Sequence, residues 1–484
     1  MRIALAQLNC VVGDLAGNVR RVVGALASAA GRRADLLAVP ELAITGYPPE
    51  DLVERRDFVD ANLAALAAVV RASRRHPRLT ALVGFVDRED GRLYNAVALV
   101  VGGRMLGRYR KQLLPNYGVF DEKRHFTPGT LSPLFPVAGR RVAVTICEDL
   151  WHPAEAPWRT LCAARPELIV NLNASPYEIG KPAARERLFG RLARESGAAV
   201  AYVNLVGGQD ELVFDGQSFA VDPRGRVSAR AAAFAEELLV LDVPARRTRA
   251  VRRPLPTLDE AYGALVLGTR DYVRKNGFPG AVVGLSGGID SALTAVIAAD
   301  ALGAERVTGV TMPSRFTSRA SVEDAGELAR RLGIRTLDLP VEPQFGAFLG
   351  TLGPHATGPA AELARQNLQA RIRGALLMAL SNRHGWLVLT TGNKSETGVG
   401  YATLYGDMAG GFAPLKDVPK VQVYALARRR NIRERFGRGC PPIPARSLTK
   451  APTAELRPGQ QDSDSLPPYP VLDPILKAYI EEER

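Results

Sequence analysis

The segment "VAVTICEDLW", residues 142–151, is an apolar run that ends in a cysteine and then turns acidic. A lone thiol at a strand end is ordinarily a small buried filler, and it becomes a nucleophile only when other groups activate it. Two further segments bear on Cys147. In "LLAVPELAITGYPPEDL" Glu41 stands where an apolar strand ends, followed by Gly46, Pro48 and Pro49. In "GRYRKQLLPNYGVFDEKRHF" Lys111 follows another strand and precedes a loop. Strand ends on one edge of a sheet converge, which would bring Glu41, Lys111 and Cys147 together. Glu41 would then take the thiol proton and Cys147 would attack an amide carbon. Lys111 would stabilise the negative charge of the tetrahedral intermediate. Glu148 is expected to support this site rather than serve as the base. Cys10 and Cys162 sit in no such constellation and read as inert.

A second motif lies in the other half. "LSGGIDS", comprising Leu285, Ser286, Gly287, Gly288, Ile289, Asp290 and Ser291, follows an apolar strand and opens a helix. Its glycines let backbone approach a ligand closely, and the helix start offers unpaired N–H groups and a positive dipole end. Ser286 and Ser291 add hydroxyls, and Asp290 can hold a magnesium ion. A Walker lysine is missing, so the loop is not the usual γ-phosphate cradle.

The elements that must position these residues follow from apolar periodicity. In the first half, strands are expected at 2–9, 35–40, 80–86, 95–101, 141–147, 167–173 and 199–206, with helices such as 51–75 and 181–196 between them. Strand–turn–strand material, "FDGQSFAVDPRGRV" and "EELLVLDV", closes this domain at residues 1–245. Residues 246–260, basic and proline-containing without apolar periodicity, read as a linker. Residues 261–484 then alternate strand and helix, with a helix at 320–332 and another around 361–380. That order predicts a doubly wound parallel sheet. From 438 onward prolines crowd the chain, which reads as mostly loop or tail.

Composition narrows the class. A chain of 484 residues with 46% apolar content has material for two or three sizeable cores. No apolar run reaches bilayer-spanning length, and no leader precedes the first strand, so a cytoplasmic protein without membrane contact is expected. The four cysteines form no CxxC pair or disulfide framework. The five histidines are isolated from one another, so spacing predicts no structural zinc site. The formal charge of +13 reads first as a solvated surface and, more sharply, as a protein handling phosphate-bearing anions. The basic residues are dispersed along helices, not gathered with aromatics, which argues against nucleic acid.

These motifs carry a resemblance. "SGGIDS" resembles the pyrophosphate-binding loop of the ATP pyrophosphatase superfamily, whose members cleave ATP between the α- and β-phosphates and adenylate a substrate. Within it, "NLQARIRGALLMALSN" (367–382), "LTTGNKSE" (389–396) and "GYATLYGDMAGGFAPLKDVPK" (400–420) are similar to NAD synthetases. The resemblance implies that Thr391 joins the 285–291 loop in binding ATP and that Asn367 and Glu396 face deamido-NAD. Asp290 and Glu396 would hold Mg2+. The segments around Glu41, Lys111 and Cys147 resemble nitrilase-like carbon–nitrogen hydrolases, in particular the glutamine-hydrolysing domain fused to NAD synthetases. That likeness implies an α-β-β-α sandwich and glutamine recognition by Tyr117, Ser175 and Lys181.

Together these likenesses imply a carbon–nitrogen ligase with L-glutamine as amido donor, ATP and deamido-NAD as further substrates, and a homo-oligomeric state. Ammonia would pass through a tunnel to the adenylated dinucleotide. Two alternatives stay open at this point: an amidotransferase using the same ATP loop on another acid, and a synthesis-deficient binding or regulatory homologue. Such relatives continue beyond the "YPVLDPILKAYIEEER" match with a lysine for the dinucleotide site. The end at Arg484 therefore implies weak use of deamido-NAD, unless Arg446 or Lys450 supplies the cation.

Overall fold

Strand β1 (Arg2–Gln7) sends Ile3 and Leu5 to one face and Ala4 and Ala6 to the other, and all four are buried. A strand apolar on both faces belongs inside a layered stack rather than at a surface. The computed structural model, which describes residues 1–244, 251–432 and 439–484, shows that stack. The chain divides into two compact units, Met1–Ala264 and Leu265–Arg484.

In the first unit, β1 is followed by β2 (Leu36–Ala38), β3 (Thr80–Glu89), β4 (Arg92–Val101) and β5 (Arg104–Arg110). Next come β6 (Leu134–Val137), β7 (Arg140–Ile146), β8 (Leu168–Asn173) and β9 (Ala199–Asn204). A small hairpin of β10 (Val206–Gln209) and β11 (Leu212–Asp215) precedes β12 (Phe219–Val221), β13 (Val227–Arg230) and β14 (Glu237–Asp242). One six-stranded sheet has the order β14-β1-β2-β3-β4-β5, the other β13-β12-β9-β8-β7-β6. Strands β2, β3 and β5 point the same way, as do β7, β8 and β9, so within each sheet their C-terminal ends lie at the same edge.

The sheets face each other across a core that includes Ile3, Leu5 and Leu82 from one and Val142, Val144 and Val170 from the other. Helices α1 (Leu15–Gly31) and α2 (Arg56–Ser73) cover the outer face of the first sheet. After the four-residue α3 (Glu122–His125), helices α4 (Ala156–Ala164) and α5 (Lys181–Ser196) cover the second. This is the expected α-β-β-α sandwich. Strand β6 was not foreseen: its proline and partial exposure blur the alternation that marks a strand.

Of the stretch expected as linker, residues 246–250 lie outside the described residues. Residues 251–256 have no regular structure, and Thr257 already begins helix α6 (Thr257–Lys275). The apolar residues of that helix are spaced for burial, a signal hidden from the sequence by the basic stretch before it.

The second unit holds four parallel strands, β15 (Ala281–Gly284), β16 (Val307–Thr311), β17 (Arg335–Asp338) and β18 (Leu387–Leu389), in the order β17-β16-β15-β18. The chain moves outward from β15 to β17 and returns to β18 on the other side. The crevice at the C-terminal ends of β15 and β18 is therefore the topological switch point, where open α/β sheets bind ligands. Helix α7 (Ile289–Leu302) is buried on nearly all sides, as its apolar composition demands. Helices α8 (Arg319–Leu332), α9 (Glu342–Leu352) and α10 (Glu362–His384) follow, then α11 (Lys394–Gly398) and α12 (Lys420–Ile432). The proline-crowded end is less loop-like than expected, since it contains α13 (Ala445–Thr449) and α14 (Tyr469–Leu476). Pro444 and Pro468 sit just before these helices, where a missing N–H costs nothing.

Arg185 in α5 is fully buried and donates to both carboxylate oxygens of Asp215 at the end of β11, at 2.8 and 2.9 Å. Breaking a buried pair strands the remaining charge. Asp215→Ala should therefore destabilise the first unit by about 3–5 kcal/mol, read from urea unfolding followed by intrinsic fluorescence.

Candidate active sites

Glu41 lies in a turn after β2 that crosses β3 at Gly84. A side-chain carbon on Gly84 would come within 2.4 Å of the Pro40 carbonyl oxygen and 2.5 Å of the Leu42 nitrogen, so the turn can lie against the strand only where there is no side chain. The Glu41 carboxylate is buried and saturated with donors. Oε1 accepts from Asn95 Nδ2 and Lys111 Nζ, both at 2.7 Å, and Oε2 accepts from the Ala174 N–H at 2.9 Å.

Lys111 follows β5 directly, with its side chain 1% exposed. Its Nζ also donates to Glu122 Oε1 at 2.8 Å, and the Tyr47 hydroxyl donates to that same oxygen at 2.9 Å. Burial opposes the charge on Lys111, but Glu122 and Glu41 outweigh it and hold its pKa well above the lysine range. Glu122 in turn is pushed up to about 7, first by burial and further by Glu41, against the pull of Lys111.

Cys147 follows β7 with φ of 37°, a left-handed conformation unusual for a residue with a side chain, and opens the turn Cys147–Leu150. Such strain is kept only where surroundings over-determine it. Asp149 supplies much of that determination. Fully buried, it accepts from the N–H groups of Ile146, Gln112 and Leu113 at 2.9 Å each and from the Tyr109 hydroxyl at 2.7 Å. One carboxylate thus ties the cysteine turn to the strand exit that carries Lys111. The thiol pKa is raised well above the usual range, by burial first and then by the Glu41 carboxylate, with Lys111 opposing. A neutral thiol beside a buried carboxylate suits nucleophilic attack with general-base assistance. The three residues come from two sheets, Glu41 and Lys111 from one and Cys147 from the other. They meet between the layers, not along one edge as the sequence suggested.

Around this centre, Tyr117 is exposed and its hydroxyl donates to Glu148 Oε1 at 3.0 Å, while His152 Nε2 lies 2.7 Å from the same oxygen. Glu148 is thereby committed to holding Tyr117, consistent with a supporting place. Ser175 follows β8, and its Oγ accepts from Arg185 Nη2 at 3.2 Å. Lys181 opens α5 with its ammonium 5.7 Å from the centre of the Trp151 ring, and burial, then Arg185, lowers its pKa. A negative charge on Cys147 would act on both Tyr117 and Lys181, which puts these side chains in one neighbourhood.

In the second unit, Leu285, Ser286, Gly288, Ile289, Asp290 and Ser291 line a cavity of about 280 Å³, and Thr391 and Glu396 line it from the β18 side. Gly287 has φ of 77°, and a side-chain carbon there would sit 2.3 Å from the Ser321 carbonyl oxygen. Its own carbonyl accepts from Ser447 Oγ at 3.2 Å. Lys420 Nζ bridges Asp290 Oδ2 at 2.5 Å and Glu396 Oε1 at 3.0 Å, and Asn393 Nδ2 donates to Asp290 Oδ1 at 2.9 Å. Glu396 is raised to about 7 by burial and by its neighbour Asp290. Two carboxylates sharing one ammonium leave surplus negative charge, and their oxygens suit a hard cation.

Asn367 does not line this cavity, and its Oδ1 accepts from Thr403 Oγ1 at 3.0 Å. Segment 451–456 forms one wall of the cavity. Lys450 lines it too, paired with Glu455 at 2.8 Å, whereas Arg446 is bound to Asp324 and Glu323 of α8.

Residues 2–253 match the carbon–nitrogen hydrolase family and residues 261–484 match the NAD synthase family. The glutamine-dependent NAD(+) synthetase of Thermotoga maritima is 47% identical, aligned over 100% of this chain and 89% of that protein. The enzyme of the same name from Acinetobacter baylyi is 46% identical over 100% and 88%. The chain belongs to the glutamine-dependent NAD(+) synthetase family. The solved Acinetobacter baumannii member, in complex with ADP, superposes with a TM-score of 0.88 at 42% identity, covering 100% of this chain and 88% of that one. A full-length match of this kind does not favour the alternatives of another acid substrate or a synthesis-deficient homologue.

Glu122, Asp149, Lys420 and Asn393 carry no local signal of the contacts they make. Glu122 and Asp149 stand inside quoted segments, yet nothing in "FDEKRHF" or "ICEDL" separates a buried carboxylate from a solvated one. Lys420 closes the "KDVPK" segment and Asn393 lies in "LTTGNKSE". Both were carried by the resemblance as part of a motif without a role of their own.

The raised pKa of Glu122 has a consequence for stability. The unfolded carboxyl loses its proton near 4.5 and the folded one near 7, so the native state holds the extra proton between those values. Unfolding free energy must fall as pH rises through that window, by up to about 1.4 kcal/mol per pH unit, with the loss complete above it. Glu122→Gln should flatten this slope for the first unit, measured by urea unfolding at pH 5 and pH 8.

Proposed function

We propose that this chain makes NAD from deamido-NAD, with glutamine as nitrogen source and ATP as activator. The observation that carries it is the presence, in one chain, of a thiol–carboxylate–ammonium centre in the first unit and a switch-point cavity with an SGGIDS loop in the second. The family membership supports the pairing. On this reading residues 1–245 are the glutamine amidohydrolase domain, 246–260 a linker and 261–484 the synthetase domain.

In the first site Tyr117, Ser175 and Lys181 bind glutamine. Glu41 takes the proton from Cys147, whose sulfur bonds to the amide carbon, and Lys111 neutralises the oxyanion. The carbon–nitrogen bond breaks, the nitrogen leaves as ammonia with the proton from Glu41, and water then cleaves the thioester to glutamate. In the second site, residues 285–291 and Thr391 hold ATP, and Asn367 and Glu396 face deamido-NAD. An oxygen of the nicotinate carboxylate bonds to the α-phosphorus and pyrophosphate leaves. Ammonia then bonds to the acyl carbon and AMP leaves. Asp290 and Glu396 are the residues that would hold Mg2+, which neutralises phosphate charge when bound. Their oxygen donors and excess negative charge fit that ion. Lys420, released from these carboxylates, is free to face the pyrophosphate. A cytoplasmic homo-oligomer belongs to the same proposal, and among the described residues no helix is long and apolar enough to cross a membrane.

The experiment supplies glutamine, ATP, magnesium salt and deamido-NAD and follows NAD, glutamate and AMP together. Cys147→Ala should abolish synthesis from glutamine yet leave synthesis from ammonium salts largely intact. Equal loss with both nitrogen sources would refute separate sites. Asp290→Asn should have the converse effect, cutting AMP formation by orders of magnitude while slow glutaminase turnover survives. Unchanged AMP formation would remove Asp290 from the adenylating machinery.

A further inference from the structure

One cluster in the first unit serves neither chemistry. Asp51 and Glu54 lie on the 3-10 turn Glu50–Glu54, shortly after the Glu41 segment, and His125 ends α3. Among the described residues, these are the one set of His, Cys, Asp and Glu side chains that brings three ligand atoms within 4.8 Å of one another. On a 3-10 turn, residues three apart eclipse, so both carboxylates share a face. They are exposed, but the His125 side chain is only 5% exposed, and neither ring nitrogen makes a hydrogen bond. Its Nδ1 points toward the carboxylates, 3.3 Å from Glu54 Oε1. A buried imidazole with both nitrogens unsatisfied is unfavourable, and a ligand bond at Nδ1 would relieve it.

We propose that Asp51, Glu54 and His125 bind one divalent cation of the zinc class. One imidazole nitrogen and two carboxylates are three ligands of a tetrahedron, leaving the fourth position to water. With bonds of ~2.0–2.1 Å such a tetrahedron has an edge of ~3.3 Å, the separation already present between Nδ1 and Oε1. An imidazole donor selects against magnesium and calcium, which take oxygen shells. The present occupant of the carboxylates is Arg124, 3.1 Å from Asp51 Oδ1 and 3.6 Å from Glu54 Oε1. Its half-exposed guanidinium can swing into solvent at little cost, so it competes with the ion. Spacing could not reveal the site, because its members come from two loops far apart in the chain. A bound ion would clamp α3, which also carries Glu122, to the turn that follows Glu41.

The test uses the full chain, stripped with a chelator and titrated with Zn2+ alone by calorimetry, then with Co2+ for its visible spectrum. Wild type should take up one ion at this site with a tetrahedral Co2+ spectrum. Glu54→Gln, an exposed and fold-neutral change, should weaken that uptake at least roughly tenfold, and His125→Phe should do the same. Arg124→Ala should bind several-fold more tightly. Binding unaltered by Glu54→Gln, a sulfur-to-cobalt charge-transfer band pointing to a cysteine, or no uptake at micromolar Zn2+ would each overturn the proposal. So would an Arg124→Ala chain that binds no better than wild type.

Discussion

A lysine ammonium removed from water cannot remain charged without partners, since the desolvation cost is several kcal/mol. Lys111 is sealed in the first unit and remains charged because Glu41 and Glu122 both face it. Much of that site follows from this constraint. Burial and Glu41 push Glu122 up to about 7 against the pull of that lysine, while Asn95 and the Ala174 N–H complete the shell of Glu41. The thiol is placed among these charges as a neutral group, the form that is inert to oxidation and metal capture.

The second unit repeats the arrangement with a different consequence. Lys420 is as buried as Lys111, but its partners Asp290 and Glu396 remain partly open to the cavity, at 17% and 19% exposure. The carboxylates that share this ammonium therefore face a cavity as well as the lysine.

Neither cluster would hold its geometry without backbone devices nearby. Gly84 lets the Glu41 turn lie directly on β3, and Gly287 lets the loop after β15 press against α8. Asp149 gathers three N–H groups from two segments and so sets the distance between the cysteine turn and the exit of β5. In the second unit, Asp473 of α14 accepts from Ser395 Oγ at 2.5 Å and from the Val421 N–H at 2.9 Å, joining α11 to α12 behind the cavity.

Local chemistry made much of this legible in advance. Short apolar runs mark β1, β7 and β8, glycines and an acidic residue at a strand-to-helix turn mark 285–291, and Cys147, Glu41 and Lys111 stand at strand ends. These signals are contained within a few neighbouring residues, so the sequence alone determined two α/β domains and the groups able to react, while the layer order came only with the family likeness. What the tertiary structure decided is which charges share a space. Glu122, Asp149 and Lys420 look like any other charged surface residue in the chain, because burial is a property of what packs over a side chain. The convergence of Asp51 and Glu54 with His125, and the meeting of the Glu41, Lys111 and Cys147 segments between two sheets, depend on strand order and sheet packing. Those are set by the sum of many weak apolar contacts spread over the whole unit, and no short stretch of sequence contains them.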